Sequence, residues 1–234
     1  MKRIVALLLG LIFISNIPIG LAAEKQITQY LYGDREVPKI AITIDDWYSR
    51  ELLPDFLDIA KENNCKLTLY PIGVNLLKEE RDLWTRVVEE GHEIGNHTNT
   101  HLNLEKANKD RIIRQLKNME KRLNDCLGEE YTINTLRYPF GAGRKKGTRS
   151  SFAKAVREAG YMHVVLWDID TLDTRKILRN VENGSIILLH ANKKDLRVFK
   201  EILPELTSRG FSMVTVSELL NLSKTTPIPD DGRN

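Results

Sequence analysis

The chain has 234 residues, with 35 Lys and Arg against 32 Asp and Glu, a formal net charge of +3 and two cysteines. That length fits one domain. Without Lys2 and Arg3 the balance is close to neutral, which gives no footing for nucleic-acid binding, and two cysteines are too few for a disulfide framework.

Residues 1–23 differ from the rest. Lys2-Arg3 precede an apolar run from Ile4 to Ile14, and Gly20-Leu21-Ala22-Ala23 close the segment. A basic start, an apolar stretch and small residues make an export signal, which implies a secreted, periplasmic or cell-wall location. An uncleaved membrane anchor is the alternative, because Ile4–Ala23 spans 20 residues, near the length of a bilayer crossing. Residues 24–38 read as a lead-in.

From Lys39 onward strand-like and helix-like segments alternate. Strands are expected at 39–44, 66–70, 92–95, 135–138, 162–167, 185–189 and 211–216. Helices are expected at 51–63, 82–90, 104–127, 150–159, 175–182, 194–208 and 217–222. Ile112, Leu116, Met119 and Leu123 share one helix face, and Gly91, Gly128 and Gly160 stand where helices stop. The alternation predicts an α/β fold with a parallel sheet, a distorted barrel of seven or eight βα units in a single domain over 39–222. The polar tail, 223–234, reads as disordered. Cys65 and Cys126 read as buried free thiols.

Polar residues collect at the C-terminal ends of these strands, where a parallel barrel gathers its catalytic groups. Asp45 and Asp46 end the first strand. His97 and His101 follow Glu93–Asn96, and their i, i+4 spacing can turn both rings the same way on one helical turn. Arg137 and the turn Pro139-Phe140-Gly141 come next, then Asp168, Asp170 and Asp173, then His190. One carboxylate with two imidazoles is a divalent-metal set with an open position for water, and a second carboxylate could take that water's proton. An arginine among carboxylates can hold one of them, and a Pro-Phe-Gly turn can aim a backbone N–H into a site. Singly, each has an ordinary reading. The aspartates could cap a helix, the histidines could be satisfied core groups, Arg137 could be a surface side chain and the three acids a solvated loop. His92 and His163 match no chemical pattern and read as structural, and Arg144-Lys145-Lys146 reads as a solvated loop.

Together the segments resemble the polysaccharide deacetylases with the NodB homology domain, carbohydrate esterase family 4. Thr43-Ile44-Asp45-Asp46 looks like the family's Thr-Phe-Asp-Asp, and His97-Thr98-Asn99-Thr100-His101 matches its His-(Ser/Thr)-x-x-His. Arg137-Tyr138-Pro139-Phe140 resembles Arg-x-Pro-(Tyr/Phe), Asp170-Thr171-Leu172-Asp173 matches most of Asp-x-x-Asp-Trp, and Leu188-Leu189-His190 matches Leu-x-His. The resemblance implies one divalent metal ion on Asp46, His97 and His101: zinc, with cobalt, manganese or nickel as alternatives. It implies Asp45 as general base oriented by Arg137, and His190 as general acid paired with Asp173. Leu188 would line a pocket for the acetyl methyl group and the Phe140 N–H would meet the oxyanion, with Tyr138 and Asp170 as further substrate contacts. Three departures stand out: Ile44 replaces Phe, Trp47 stands where the family usually has Gly, and Thr174 stands where a Trp closes the acetyl pocket. Trp47 and Tyr48 could give a stacking face for a sugar ring or could equally be packing, and Trp167 could fill the space left at Thr174.

The expected function is that of an exported, metal-dependent N-deacetylase, acting as a monomer on an N-acetylated glycan. Peptidoglycan N-acetylglucosamine or N-acetylmuramic acid stands ahead of chitin-like oligomers. An O-acetyl esterase acting on a polysaccharide such as acetylxylan is one alternative. A non-catalytic glycan-binding module is another, opposed by the presence of every acid, base and ligand position. A membrane-anchored structural protein explains only residues 1–23.

Overall fold

The computed structural model describes residues 26–144 and 152–222. The frame is β2 (Lys39–Asp46), an eight-residue strand with Ile40 to Asp45 buried in sequence. A run buried on both faces is what a parallel sheet covered by helices demands. β3 (Leu67–Pro71) and β7 (Ile186–His190) flank it in parallel, with Thr43 opposite Thr68 on one side and Leu188 on the other.

β4 (Glu93–Ile94) extends this sheet to the order β4-β3-β2-β7, while β8 (Ser212–Met213) pairs with the start of β2. A second parallel sheet has the order β1-β6-β5, formed by β1 (Thr28–Tyr30), β6 (His163–Val165) and β5 (Thr135–Leu136). Two isolated parallel bridges join the sheets: Asn96 with Leu136, and Ile169 with Ile187. The strands from β2 to β7 therefore follow one another around the molecule in chain order, a distorted barrel whose seams are single bridges. The lead-in is more than a linker, since β1 pairs with β6.

Helices cover the outside with their apolar faces. α1 (Leu53–Glu62), α2 (Arg81–Glu89) and α6 (Lys193–Ser208) bury Phe56, Trp84 and Phe199 in one core cluster with Ile42, Ile44 and Leu189. α3 (Lys109–Leu127) starts later than its apolar pattern, because the Asn108 side chain accepts from the Arg111 N–H and caps it there. Leu104–Lys106 forms a separate 3-10 turn. α4 (Ala153–Glu158), α5 (Thr174–Asn180) and α7 (Val216–Leu219) complete the layer. Buried Glu93 accepts from the hydroxyls of Thr68, Thr135 and Ser217 and from the Ser217 N–H, tying β3, β5 and α7 together. Four donors satisfy a charge that would be costly alone.

Cys65 and Cys126 are buried, unpaired thiols. His92 accepts the Leu67 N–H through Nδ1, and His163 Nδ1 lies 3.1 Å from the Tyr30 hydroxyl. The export-signal segment 1–23, Lys145-Lys146 and the tail 223–234 lie outside the described residues. Among the described residues, no helix is long and apolar enough to cross a membrane.

Candidate active site

β2 ends in Asp45 and Asp46, and β7 ends beside them with His190 opposite Asp45. The loop after β4 carries His97 and His101 to the same place. These two histidines do not share a helical turn, as their spacing suggested. They sit on an irregular loop in which Thr98 and His101 have φ of 65° and 56°. The loop is pinned from below: the Asn96 amide donates to Leu116 O and Tyr161 Oη, and its carbonyl accepts the Thr98 N–H. The Thr98 hydroxyl in turn accepts the Leu102 N–H.

Asp46 Oδ1 lies 3.4 Å from His97 Nε2 and 3.3 Å from His101 Nε2. Two ligands about 2.0–2.1 Å from one tetrahedral ion stand about 3.3–3.4 Å apart, so the spacing suits a shared cation. The rest of the donor set agrees. Asp46 Oδ1 is buried and has no hydrogen-bond partner. His97 Nδ1 lies 2.9 Å from Arg137 O, which can only accept, so the proton sits on Nδ1 and Nε2 is free to ligate. Burial would raise the Asp46 carboxyl, but the neighbouring His97, His101 and His190 imidazoles hold it below the usual value. Burial and the neighbouring His97 push His101 down. Both groups thus favour the form that binds a metal.

Asp45 is held differently. Arg137, fully buried, donates from Nη1 to Asp45 Oδ1 at 2.8 Å and to Thr43 Oγ1 at 2.6 Å. Its Nε and Nη2 donate to Val165 O and Leu166 O, and its guanidinium lies 4.4 Å from the Tyr70 ring centre. Arg137 is therefore no surface side chain. It fixes one Asp45 oxygen and leaves Oδ2 facing His97 Nε2 at 3.9 Å. A carboxylate anchored at one oxygen and free at the other is suited to taking a proton.

His190 has a carboxylate neighbour, and it is Asp195. The His190 Nδ1 lies 3.8 Å from Asp195 Oδ1, an ion-pair distance, and the His190 N–H donates to the same oxygen at 2.9 Å. Asp195 is locked by Asn192, whose amide donates to Oδ2 and whose carbonyl accepts the Asp195 N–H. Asn192 is the N-cap of α6 and Asp195 its third residue, a spacing readable in His190-Ala-Asn-Lys-Lys-Asp195. The Asp195 interaction raises His190 above its ordinary value of 6.5 against the opposing pull of burial, with Asp45 and Asp46 adding to the rise.

The Asp173 pairing and the Trp47 stacking face need correction, and the other expected residues are placed as follows. Asp173, assigned to His190, instead caps α5, accepting the Lys176 N–H. Asp168 binds Arg35, Ser185 and the Ile186 N–H, and Asp170 is exposed on the loop after β6. Thr174 points at α6, its hydroxyl donating to Glu201. Trp47 is 0% exposed and offers no stacking face, whereas Tyr48 beside it is 63% exposed. Tyr138 is also buried, its ring edge-on to Phe152 at 5.1 Å. Phe140 is 68% exposed with its ring centre 4.4 Å from that of His101. Leu188 is buried in the cluster that contains Trp167.

Backbone strain is concentrated here. Of seven non-glycine residues with positive φ among the described residues, five are Asp46, Trp47, Thr98, His101 and Phe140. Each such residue costs about 1–3 kcal/mol, a cost found most often where geometry is set for function.

A polysaccharide deacetylase family model matches residues 32–164. A peptidoglycan-N-acetylglucosamine deacetylase of Bacillus cereus is 31% identical over 215 residues, covering 85% of this chain and 75% of the relative. The enzyme PgdA of Listeria monocytogenes, with the same activity in its name, is 31% identical over 200 residues. That match covers 79% of this chain but only 40% of the Listeria enzyme's length. Among solved structures, the Bc1960 peptidoglycan N-acetylglucosamine deacetylase superposes with a TM-score of 0.72 at 27% identity, covering 85% of this chain and 95% of that one. A family pseudoenzyme of Bacillus anthracis shares the fold at 22% identity, with a TM-score of 0.71 over 82% of this chain and 68% of its own.

Proposed function

Because the chain belongs to the polysaccharide deacetylase family, carbohydrate esterase family 4, we propose that it removes N-acetyl groups from peptidoglycan N-acetylglucosamine or N-acetylmuramic acid outside the cytoplasm. The observation that carries this reading is the convergence of Asp46, His97 and His101, with Asp45 and His190 on adjoining strand ends. These three ligand atoms lie within 4.8 Å of one another, and zinc suits a set of one carboxylate and two imidazoles. The ion would polarise the amide carbonyl and make a water molecule easier to deprotonate.

The residues supply the rest. Asp45, its Oδ1 tied to Arg137, accepts the attacking water's proton at Oδ2. The Phe140 backbone N–H, set by a φ of 61°, offers a donor to the developing oxyanion. An amine anion is a poor leaving group, so the departing nitrogen needs a proton, and His190 carries one while Asp195 holds it charged. Acetate and a free amino sugar result. A non-catalytic module would be expected to lack the base, a ligand or the acid, and all are present here. Export rests on the character of residues 1–23.

The direct assay incubates purified protein with N-acetylglucosamine oligomers, muropeptides and acetylxylan, with and without chelator, and follows acetyl loss by mass spectrometry. Release from the glucosamine substrates, abolished by chelator and restored by zinc, is expected. Release from acetylxylan alone would make the protein an O-acetyl esterase, and no release from a zinc-loaded chain would make it a binding module.

The Asp195 contact gives a pH prediction. A general acid must be protonated, so activity falls as pH rises through the His190 pKa, which lies above 6.5. Asp195→Asn removes the largest raising influence and leaves burial, which acts downward. The alkaline limb of kcat/KM should therefore move to lower pH, while the acidic limb stays in place. An unmoved alkaline limb would separate Asp195 from the acid.

A further inference from the structure

The turn that ends β2 contains a residue the chemistry above does not use. Asp46 and Trp47 stand consecutively at φ of 72° and 62°, where glycine is at ease and other residues are not. The Trp47 N–H donates to Asp45 O at 3.0 Å, two residues back, closing a three-residue turn centred on Asp46. With a positive φ at its centre this is the rarer, strained hand of γ-turn. A conformation of this kind persists only when its surroundings over-determine it.

The Trp47 side chain supplies that constraint. It is 0% exposed, and its indole N–H donates to Ile44 O at 3.0 Å, back into β2. Its ring meets Phe56 of α1 at 5.5 Å and Trp84 of α2 at 6.1 Å, both edge-on. On the other side of the turn, Asp46 O accepts from the Ile72 N–H at 3.2 Å and from Asn75 Nδ2 at 3.1 Å. The carboxylate that faces His97 and His101 is thus clamped between an aromatic anchor in the core and two donors from the chain after β3.

We infer that Trp47 is a positioning residue: a buried pin that holds the Asp45-Asp46 turn in the strained shape presenting Asp46 to the metal. The inference rests on the metal site of the proposed function, but not on the identity of the glycan. Glycine, which the family usually carries at this position, permits the turn. Tryptophan enforces it through packing and one hydrogen bond.

The test is competition for zinc between the loaded full-length protein and a chromophoric chelator, with thermal melts run in parallel. The variants are Trp47→Phe, Trp47→Gly and Trp84→Phe. Supporting groups of metal ligands are typically worth about 10-fold or more in affinity, so Trp47→Phe should weaken zinc binding about 10-fold and Trp47→Gly further. Trp84→Phe perturbs the same aromatic cluster without touching the turn. It should lower the melting temperature yet hold zinc within about twofold of wild type, as expected where no ligand support is lost. Trp47→Phe, the milder change, carries the test if the glycine variant does not fold. Wild-type zinc affinity in Trp47→Phe, or an equal loss in Trp84→Phe, would overturn the pin while leaving the site intact. A wild-type chain with no affinity for zinc would overturn the metal-site reading and the pin with it.

Discussion

Asp46→Ala should yield a folded protein that retains no zinc through gel filtration and deacetylates N-acetylglucosamine oligomers on the order of 10³-fold more slowly or worse. The carboxylate is the sole anionic member of the ligand set, and without it two neutral imidazoles remain to hold a dication. The metal-free variant should fold but melt somewhat lower than wild type, because alanine tolerates the positive φ at this position less well than aspartate. Zinc should raise the melting temperature of the wild type, because binding to the folded state alone stabilises it, and should leave that of Asp46→Ala unchanged. Metal analysis, melts and kcat/KM together check the result. A variant that kept zinc and wild-type turnover would show that Asp46 is not a ligand.

What could be read in advance follows from burial. Ile40–Ile44 and Ile186–Leu189 are runs with no polar face, so the polar groups that end them had to emerge at a strand terminus, and Asp45, Asp46 and His190 do. The strands that escaped notice or were drawn too long, β1, β4, β5 and β8, have only two or three paired residues, too few to show a period. The His97–His101 loop owes its shape to Asn96 and to two left-handed residues, contacts that spacing does not reveal. Asp173 and Asp195 illustrate the same difficulty. Both are acids in the first turn or cap of a helix that follows a strand end, and only the turn after β7 decides that Asp195 lies by His190 while Asp173 caps its own helix. For Trp47 and Tyr48 the sequence leaves a stacking face and core packing equally open, and the structure divides them, with Trp47 buried and Tyr48 exposed.

Asp45→Asn isolates the proton transfer from the metal. The amide oxygen can still accept from Arg137 Nη1, so the fully buried arginine keeps a hydrogen-bond acceptor while losing its counter-charge, and the variant should melt lower than wild type. What disappears is the second oxygen, Oδ2, which faces His97 Nε2 and is not held by Arg137. An amide nitrogen there has no basic lone pair, and general-base catalysis is worth about 10²–10⁴-fold, so kcat/KM should fall by that factor. Zinc content and the zinc-induced rise in melting temperature should match wild type, in contrast to Asp46→Ala. The residual activity should also lose its alkaline range earlier, because Asp45 is one of the charges that raise His190. Neighbouring aspartates at one strand end would thus fail in different ways, one by losing the ion and the other by losing the base. If Asp45→Asn bound zinc and turned over at the wild-type rate, the proton would have to leave by another group and Asp45 would not be the base.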